Sequence, residues 1–275
     1  MKRQFINDLY ASFALWADHT LSTNGRAFQN VSSSLYSIVD DKFAGLSVYG
    51  SPYKQWIYNS SISGAQIPSG VYSNGTFIPR GQSGLKIDFN NGRVMFNGGV
   101  NIPVSGQFSA KEFGVYTTTQ ADQELIFEQR VNFASQFPQV GKAIESRDII
   151  APAIFIRFGT MSSEPFAFGG EYNSKIDVRI IILSDSNYKL DAVGNIFVDQ
   201  KEKNFLVVPQ TPLNEFGDLK TGYYGYFDYL NQYNDSRKLA YIEEVDFSKL
   251  VASNTKNPDL QAGFLDLKVS LPRFL

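Results

Sequence analysis

The chain has 275 residues, a net charge of −2 and 19% charged residues, so it can form one large domain or two smaller ones and lacks the positive field that general or sequence-specific nucleic-acid binding needs. It contains no cysteine, which excludes disulfide bonds, thiolate metal sites and a cysteine nucleophile. No apolar run approaches the roughly 20 residues of a membrane-spanning helix, and we expect no membrane association.

The first predicted element is an amphipathic helix in residues 1–25. Apolar side chains recur there at helical spacing, and the run stops at the polar residues 22–25. The main residues of the apolar stripe are Phe5, Leu9, Phe13 and Trp16. An aromatic face at a chain end can dock on its own domain or on a neighbouring subunit, and the sequence leaves both alternatives open. We therefore treat these four residues as candidate interface residues.

Residues 26–120 are predicted to form a β-rich domain with hairpins. Short β-prone runs alternate there with Ser, Gly, Asn and Pro, which is typical of strands joined by turns. The clearest unit places the runs 85–89 and 93–96 around Asn90, Asn91 and Gly92. The Asn-Gly pair readily supplies the positive φ angles of a tight turn, so we predict a β-hairpin here.

Residues 121–275 are predicted to form an α+β domain with an antiparallel sheet and a helix. The β-prone runs are 149–158 and 175–183, and the second becomes apolar on both faces, as expected of a central strand covered by a helix. That helix is predicted to follow, with Ser186 as its N-terminal cap and an end near Lys203. Further strands are predicted at 204–208 and 265–271. The whole chain is therefore assigned to the α+β class.

Familiar catalytic combinations are not found in the sequence. His19 is the single histidine, which excludes a histidine-based triad or a multi-histidine metal site within one chain. Its position beside Asp18 near the predicted helix end suits a cation that interacts with the helix dipole. We expect no catalytic residue, no metal and no cofactor, and hence a non-enzymatic protein.

Two acidic pairs are the first candidates for a carboxylate-only glycosidase. They are Glu171 with Asp177, and Glu243 with Glu244. Adjacent residues of a strand point to opposite faces, which does not favour a shared site for the second pair. Because acidic residues are scattered along the whole chain, we interpret both pairs as accidental.

The tract from residue 222 to residue 233 is unusually rich in tyrosine. Its tyrosines are Tyr223, Tyr224, Tyr226, Tyr229 and Tyr233. Amphipathic rings of this kind pack in loops and cores, form subunit interfaces, or stack on sugars. All three interpretations remain open, and the five tyrosines are taken as candidate interface residues.

Residues 87–96, from Ile87 to Phe96, resemble the "I-D-F/Y-x-x-G-R-V/I-x-F" segment of structural proteins in tailed-bacteriophage particles. The second half is similar in outline to neck and tail-terminator proteins, the head-tail connectors whose α+β subunits form rings. The resemblance covers those ten residues and the element pattern of the second half. It implies a virion protein without catalytic residues that contacts copies of itself in a ring, and other virion proteins of the neck, tail tube or sheath.

The sequence thus supports two hypotheses of different kinds. The first is a non-enzymatic component of a virion, which agrees with an aromatic content of 15% and with many polar loops suited to permanent interfaces. The alternative is a carbohydrate-binding or host-recognition module that uses the tyrosine tract as a stacking platform.

Overall fold

The computed structural model describes residues 5–39, 43, 45–126, 132–133, 148–167, 171–208, 211–223, 226–232, 239–250 and 260–274. The predicted α+β class is confirmed, with a β-rich body, an N-terminal helix and a further helix in the second half. None of the helices described in these ranges has the length and apolarity that crossing a bilayer requires.

The N-terminal helix α1 runs from Phe5 to Asn24, as the apolar stripe and the polar stop predict. One face of it is fully buried, with Leu9 and Phe13 at 0% exposure. The helix is also tied to the second half of the chain by a hydrogen bond in which the backbone N–H of Val208 donates to the Ser12 hydroxyl (2.8 Å).

In the ranges given above, the first sheet has seven strands with the order β4-β3-β7-β1-β2-β6-β5. Neighbouring strands in it pair in antiparallel fashion. The strands are β1 (Phe28–Ile38), β2 (Leu46–Gly50), β3 (Gly70–Ser73), β4 (Thr76–Pro79), β5 (Lys86–Asp88), β6 (Arg93–Asn97) and β7 (Val104–Lys111).

The predicted hairpin is confirmed as β5 and β6, but its turn is longer than the Asn-Gly pair suggests. Residues 89–92 form a four-residue loop in which Gly92 has a positive φ of 63°. The Asp88 carboxylate accepts hydrogen bonds from the Asn91 backbone N–H (3.0 Å) and side-chain amide (2.7 Å). A neighbouring segment also holds the loop, because the backbone N–H of Trp56 donates to the Phe89 carbonyl (2.7 Å). Tertiary contacts therefore set this turn.

A tight two-residue turn of the kind expected at an Asn-Gly pair lies between β3 and β4. Asn74 and Gly75 have positive φ angles of 47° and 80°, and Ser73 pairs with Thr76 on either side. Positive φ at both central residues matches the right-handed twist of the flanking strands.

The second sheet has six strands among the described residues, with the order β13-β14-β15-β12-β11-β8. Strands β8 and β11 are parallel, and the other neighbours are antiparallel. Its elements and those around it are β8 (Gly114–Thr117), α2 (Asp122–Ile126), β9 (Asn132–Phe133), β10 (Asp148–Ile149), β11 (Ala153–Ala167), β12 (Glu171–Ser184), α3 (Asn187–Val198), β13 (Asn204–Leu206), β14 (Leu239–Lys249) and β15 (Gln261–Phe274). Strands β9 and β10 form a small parallel pair.

The central strand is β12, as its pattern predicts, and both of its faces are covered. Ile180 and Ile182 join the large core that includes side chains of α1 and α3. Ile181 and Leu183 join a second apolar cluster that includes residues of α2. The run apolar on both faces thus reflects helices on both sides of the sheet.

Helix α3 begins as predicted, with the Ser186 hydroxyl accepting from the Lys189 N–H (3.3 Å). It ends at Val198, before the predicted limit near Lys203. The chain turns there because Glu202 takes a positive φ of 63° and donates its N–H to the Ile242 carbonyl (2.9 Å) of β14.

Strand β14 was not predicted, because a bulge and charged residues obscure its alternation. Ile242 pairs with Val269 and Glu244 with Lys268, so Glu243 is an inserted residue that shifts the alternation. Beyond the bulge, Val245 is buried and Asp246 is exposed.

The two sheets share one apolar core. The chain leaves the first sheet at the end of β7 and enters the second at β8. A single buried cluster contains Phe13 of α1, Phe108 of β7 and Ile180 of β12. Residues of the two predicted domains, 26–120 and 121–275, are thus packed together.

We expect Phe13→Ala to lower the free energy of unfolding by about 3–5 kcal/mol, because it leaves a cavity beside the rings of Phe158 and Phe205. Ile6→Ala on the same helix, at 45% exposure, is the matched control and should cost less than about 1 kcal/mol. Urea denaturation of the purified protein measures both. Equal effects of the two changes would contradict the position of the helix in the core.

Candidate functional site

The aromatic face of α1 packs on its own chain. Phe13 lies against Phe158 and Phe205, with ring centroids 6.0 and 5.5 Å away. The Trp16 ring packs on the Phe197 ring of α3, with centroids 5.6 Å apart, and Trp16 is 4% exposed. Of the candidate interface residues, Leu9, Phe13 and Trp16 are therefore core residues in this structure and are not accessible to a neighbouring subunit. The side chain of Phe5 lies outside the described residues.

The tyrosine tract is divided between the core and the surface. Tyr229 is buried, at 1% exposure, and Tyr226 is exposed, at 59%. Tyr223 is half-buried and packs edge-on against the buried Phe227, with centroids 5.3 Å apart. The structure therefore does not bring these three tyrosines together as one exposed platform. The candidates Tyr224 and Tyr233 lie outside the described residues.

Asn59 fixes the tract to the first half of the chain. Its side-chain oxygen accepts from the Tyr229 N–H (3.0 Å) and from the Ser61 N–H (3.1 Å). Next to it, the Ser60 N–H donates to the Phe227 carbonyl (2.7 Å). Asn59 was not singled out in the sequence, because a lone Asn in a Ser-rich segment has no signal of its own. Its role depends on a contact 170 residues away.

His19 is held in its neutral form by the same asparagine. The Asn59 oxygen already accepts two N–H groups, so the amide nitrogen faces Nδ1 of His19 at 3.2 Å as the donor. Nδ1 is then an acceptor and carries no proton. Burial lowers the pKa of His19, and the nearby Asp18 and Asp228 oppose that shift. The sequence suggested that His19 is a cation at the end of the helix, and this prediction is corrected. Helix α1 continues to Asn24, and the His19 ring packs on the Tyr229 ring, with centroids 4.6 Å apart.

Asp18 and Lys111 form an ion pair between α1 and β7. The ammonium of Lys111 lies 2.6 Å from Oδ1 of Asp18, and both side chains are largely buried. The same ammonium lies 5.5 Å from the ring centroid of Tyr58 and 5.8 Å from that of Phe113. Burial raises the pKa of the Tyr58 hydroxyl well above its ordinary value, so this phenol stays protonated. The pair therefore serves as a polar link in an aromatic environment.

A cleft of about 500 Å³ lies beside this ion pair. It is bordered by α1, β8 and the loop 211–214. Asp18 and Lys111 are the carboxylate and the ammonium among its lining residues, and they neutralise each other. Among the described residues that line the cleft there is no second carboxylate and no histidine, and these residues therefore do not supply the pair of proton-transferring groups that general acid–base catalysis uses.

The outer face of the second sheet carries a continuous row of charges. The Asp122 carboxylate lies 2.9 Å from Nη1 of Arg157 and 2.8 Å from Nη1 of Arg179. Nε of Arg179 lies 2.7 Å from Oδ1 of Asp266. Two guanidinium nitrogens of Arg179 donate to the two oxygens of Asp266, a bidentate arrangement. These hydrogen bonds raise the pKa of the Arg179 guanidinium above its ordinary, already high value, so the group is a permanent cation.

Glu244, from one of the acidic pairs considered for a glycosidase, is held in an ion pair. Lys268 donates to Glu244 at 2.6 Å, and this hydrogen bond lowers the pKa of the carboxyl. A general acid needs the opposite shift. Glu243 is the inserted residue of the β14 bulge, and Asp177 lies on the charged outer face. The side chain of Glu171 is outside the described residues.

Within the ranges that the structure describes, no group of three or more His, Asp or Glu side chains is arranged to hold a metal ion.

We expect the stability of the protein to fall as the pH drops below about 6.5, the ordinary pKa of histidine. The unfolded state binds a proton at His19 more readily than the folded state, because the folded pKa is lowered. The stability contributed by the neutral ring is thus fully present above the unfolded pKa and is lost as the pH falls toward the folded pKa.

The measurement is the urea midpoint between pH 7.5 and 5.5 for the natural chain and for His19→Gln. The difference between the two should shrink at the acidic end. Because the chain has one histidine, no other imidazole contributes. A difference independent of pH would show that His19 does not titrate in this way.

No known protein family matches this chain, and no curated protein sequence matches it. Its function is therefore inferred from its own residues and geometry.

Proposed function

We propose that this chain is a non-enzymatic structural subunit of a tailed-phage virion. It acts as one copy in a ring at the head–tail junction, as a neck or tail-terminator component, and contacts other virion proteins of the neck, tail tube or sheath. The observation that carries the proposal is the end of the second sheet at which β11, β12 and β15 extend beyond β8 and β14.

Within the described ranges, this end of the sheet has two edges along which no further strand is paired. β8 pairs with β11 only as far as Ile156, and residues 159–165 of β11 are exposed. On the other side, β14 pairs with β15 as far as Ser270, four residues before the end of β15. Among the described residues no strand pairs with the outer edge of β11 beyond Ile156 or of β15 beyond Ser270. An unpaired edge presents N–H and C=O groups to another chain.

The direction of the two edges suits a repeated head-to-tail contact. Strands β11 and β15 are both antiparallel to β12, so they run in the same direction. The edge of β11 in one copy can therefore pair in parallel with the edge of β15 in the next copy. An interface of this heterologous type generates a ring when the rotation between copies closes.

The charged groups support the non-enzymatic part of the proposal. Glu244 is neutralised by Lys268, Asp266 by Arg179, and Asp18 by Lys111. The hydrogen bond from Lys268 lowers the pKa of the Glu244 carboxyl, which is therefore poorly suited to hold a proton for catalysis. All three carboxylates are held in ion pairs. They suit a polar surface and fixed contacts between elements.

The alternative of a carbohydrate platform on the tyrosine tract has less support. Tyr226 is exposed, but Phe227 and Tyr229 beside it are buried and interact with the chain's own residues. Among the described tyrosines of the tract, Tyr226 is the exposed one, and its ring provides much less stacking area than the row of rings that the sequence suggested.

The assembly state tests the proposal. Sedimentation velocity and negative-stain electron microscopy at high protein concentration should show a ring, and Met161→Asp should weaken association at least about tenfold. Met161 is 41% exposed on the part of β11 that extends beyond β8, and a charge there disfavours edge pairing. The matched control is Tyr188→Asp on α3, at 84% exposure, which should leave the ring intact.

A chain that stays monomeric at high concentration and in the presence of particle components would overturn the proposal. A ring that resists Met161→Asp would show that the copies associate through another surface.

A further inference from the structure

A second cleft, of about 410 Å³, opens on the outward face of the first sheet. Tyr72 of β3 and Phe77 of β4 line it and stand opposite each other in the strand register. Their ring centroids are 5.3 Å apart, with an angle of 59° between the planes. Phe77 is 43% exposed, whereas Val71 and Ser73 on either side of Tyr72 are buried. The two rings therefore form an angled, solvent-accessible apolar wall.

Polar groups border this wall. Gln107 of β7 lines the cleft and is a diagonal neighbour of Tyr72, because Tyr72 pairs with Ser105. Gln66 is fixed through its backbone, since its N–H donates to the Ser109 hydroxyl (2.6 Å) and its carbonyl accepts from the Ser109 N–H (2.7 Å). Within the described part of the chain, the side-chain amides of Gln66 and Gln107 and the Tyr72 hydroxyl have no hydrogen-bond partner.

The wall is held in shape before any ligand binds. At Gly70, a β-carbon would lie 2.2 Å from the Ile78 carbonyl oxygen, so β3 and β4 approach each other as closely as the absence of a side chain allows. The Asn74-Gly75 turn fixes the other end of this hairpin. A preformed site loses little conformational entropy on binding.

The lining chemistry defines the ligand class. Two ring faces offer apolar contact, while the amides and the phenol offer uncharged donors and acceptors. A sugar ring has the complementary pattern, with C–H groups on its face and hydroxyls around its edge. The lining residues that the structure describes carry no charged side chain, so an anionic ligand would lose its hydration there without gaining an opposite charge. We propose that the cleft is a binding site for a neutral saccharide.

This site is separate from the tyrosine tract and does not depend on ring assembly. The probes are an array of neutral hexose and N-acetylhexosamine oligosaccharides, with sialylated and sulfated members for comparison. The natural chain should bind neutral members. Phe77→Ala and Tyr72→Ala should each lower the affinity by about tenfold, because each removes one stacking face.

Phe216→Ala is the matched control, because Phe216 is an exposed aromatic residue (61%) outside this cleft and should leave binding unchanged. Saturation-transfer NMR on the natural chain, from aromatic ring protons to the saccharide, gives a second readout that needs no variant.

The proposal is overturned if no neutral oligosaccharide binds, if the charged members bind better, or if Phe216→Ala is as damaging as Phe77→Ala. An absence of saturation transfer to a bound saccharide would have the same meaning. None of these results bears on the ring, which sedimentation measures independently.

Discussion

Helix α1 contacts both sheets, and the packing of its aromatic face supports the rest of the structure. Phe13 lies against Phe158 of β11 and Phe205 of β13, and the other side of the helix reaches β7 through the Asp18–Lys111 pair. Aromatic side chains bury large apolar areas, and tilted or edge-on pairs add a directional contribution. The helix thus completes a core that neither sheet closes by itself, and it sets how the outer faces of the sheets are presented.

Polar groups inside this core select one arrangement. A buried ion pair such as Asp18–Lys111 contributes little net stability, because the loss of hydration offsets the attraction between the charges. Removing one partner would nevertheless leave an uncompensated charge. Asn59 acts similarly, because its oxygen and nitrogen serve Tyr229 and His19 at once. Such groups disfavour other positions of the helix and of the tyrosine tract.

The fold leaves two outward surfaces with different chemistry. The second sheet presents ion-paired side chains, among them Arg179 and Asp266, and in the described part of the chain β11 and β15 extend beyond their pairing with β8 and β14. The first sheet presents uncharged amides and the Tyr72–Phe77 pair. Charged rows favour solvation and specific orientation of partners, whereas aromatic and amide groups favour neutral, hydroxyl-rich ligands. Under the two proposals, the chain assembles through the second sheet and binds a ligand through the first.

The sequence by itself determined the elements whose signals are local. The apolar stripe of α1, the Ser186 cap and the apolar run of β12 each depend on neighbouring residues, and the structure confirms all three. Only the tertiary structure decided where those elements dock. Whether the face of α1 meets its own chain or another is not encoded in its periodicity, because both environments are equally apolar. The contacts of Asn59 and the bulge in β14 are likewise not encoded in local sequence, because both depend on residues distant in the chain. Tyr72 and Phe77 come to lie opposite each other only through strand pairing.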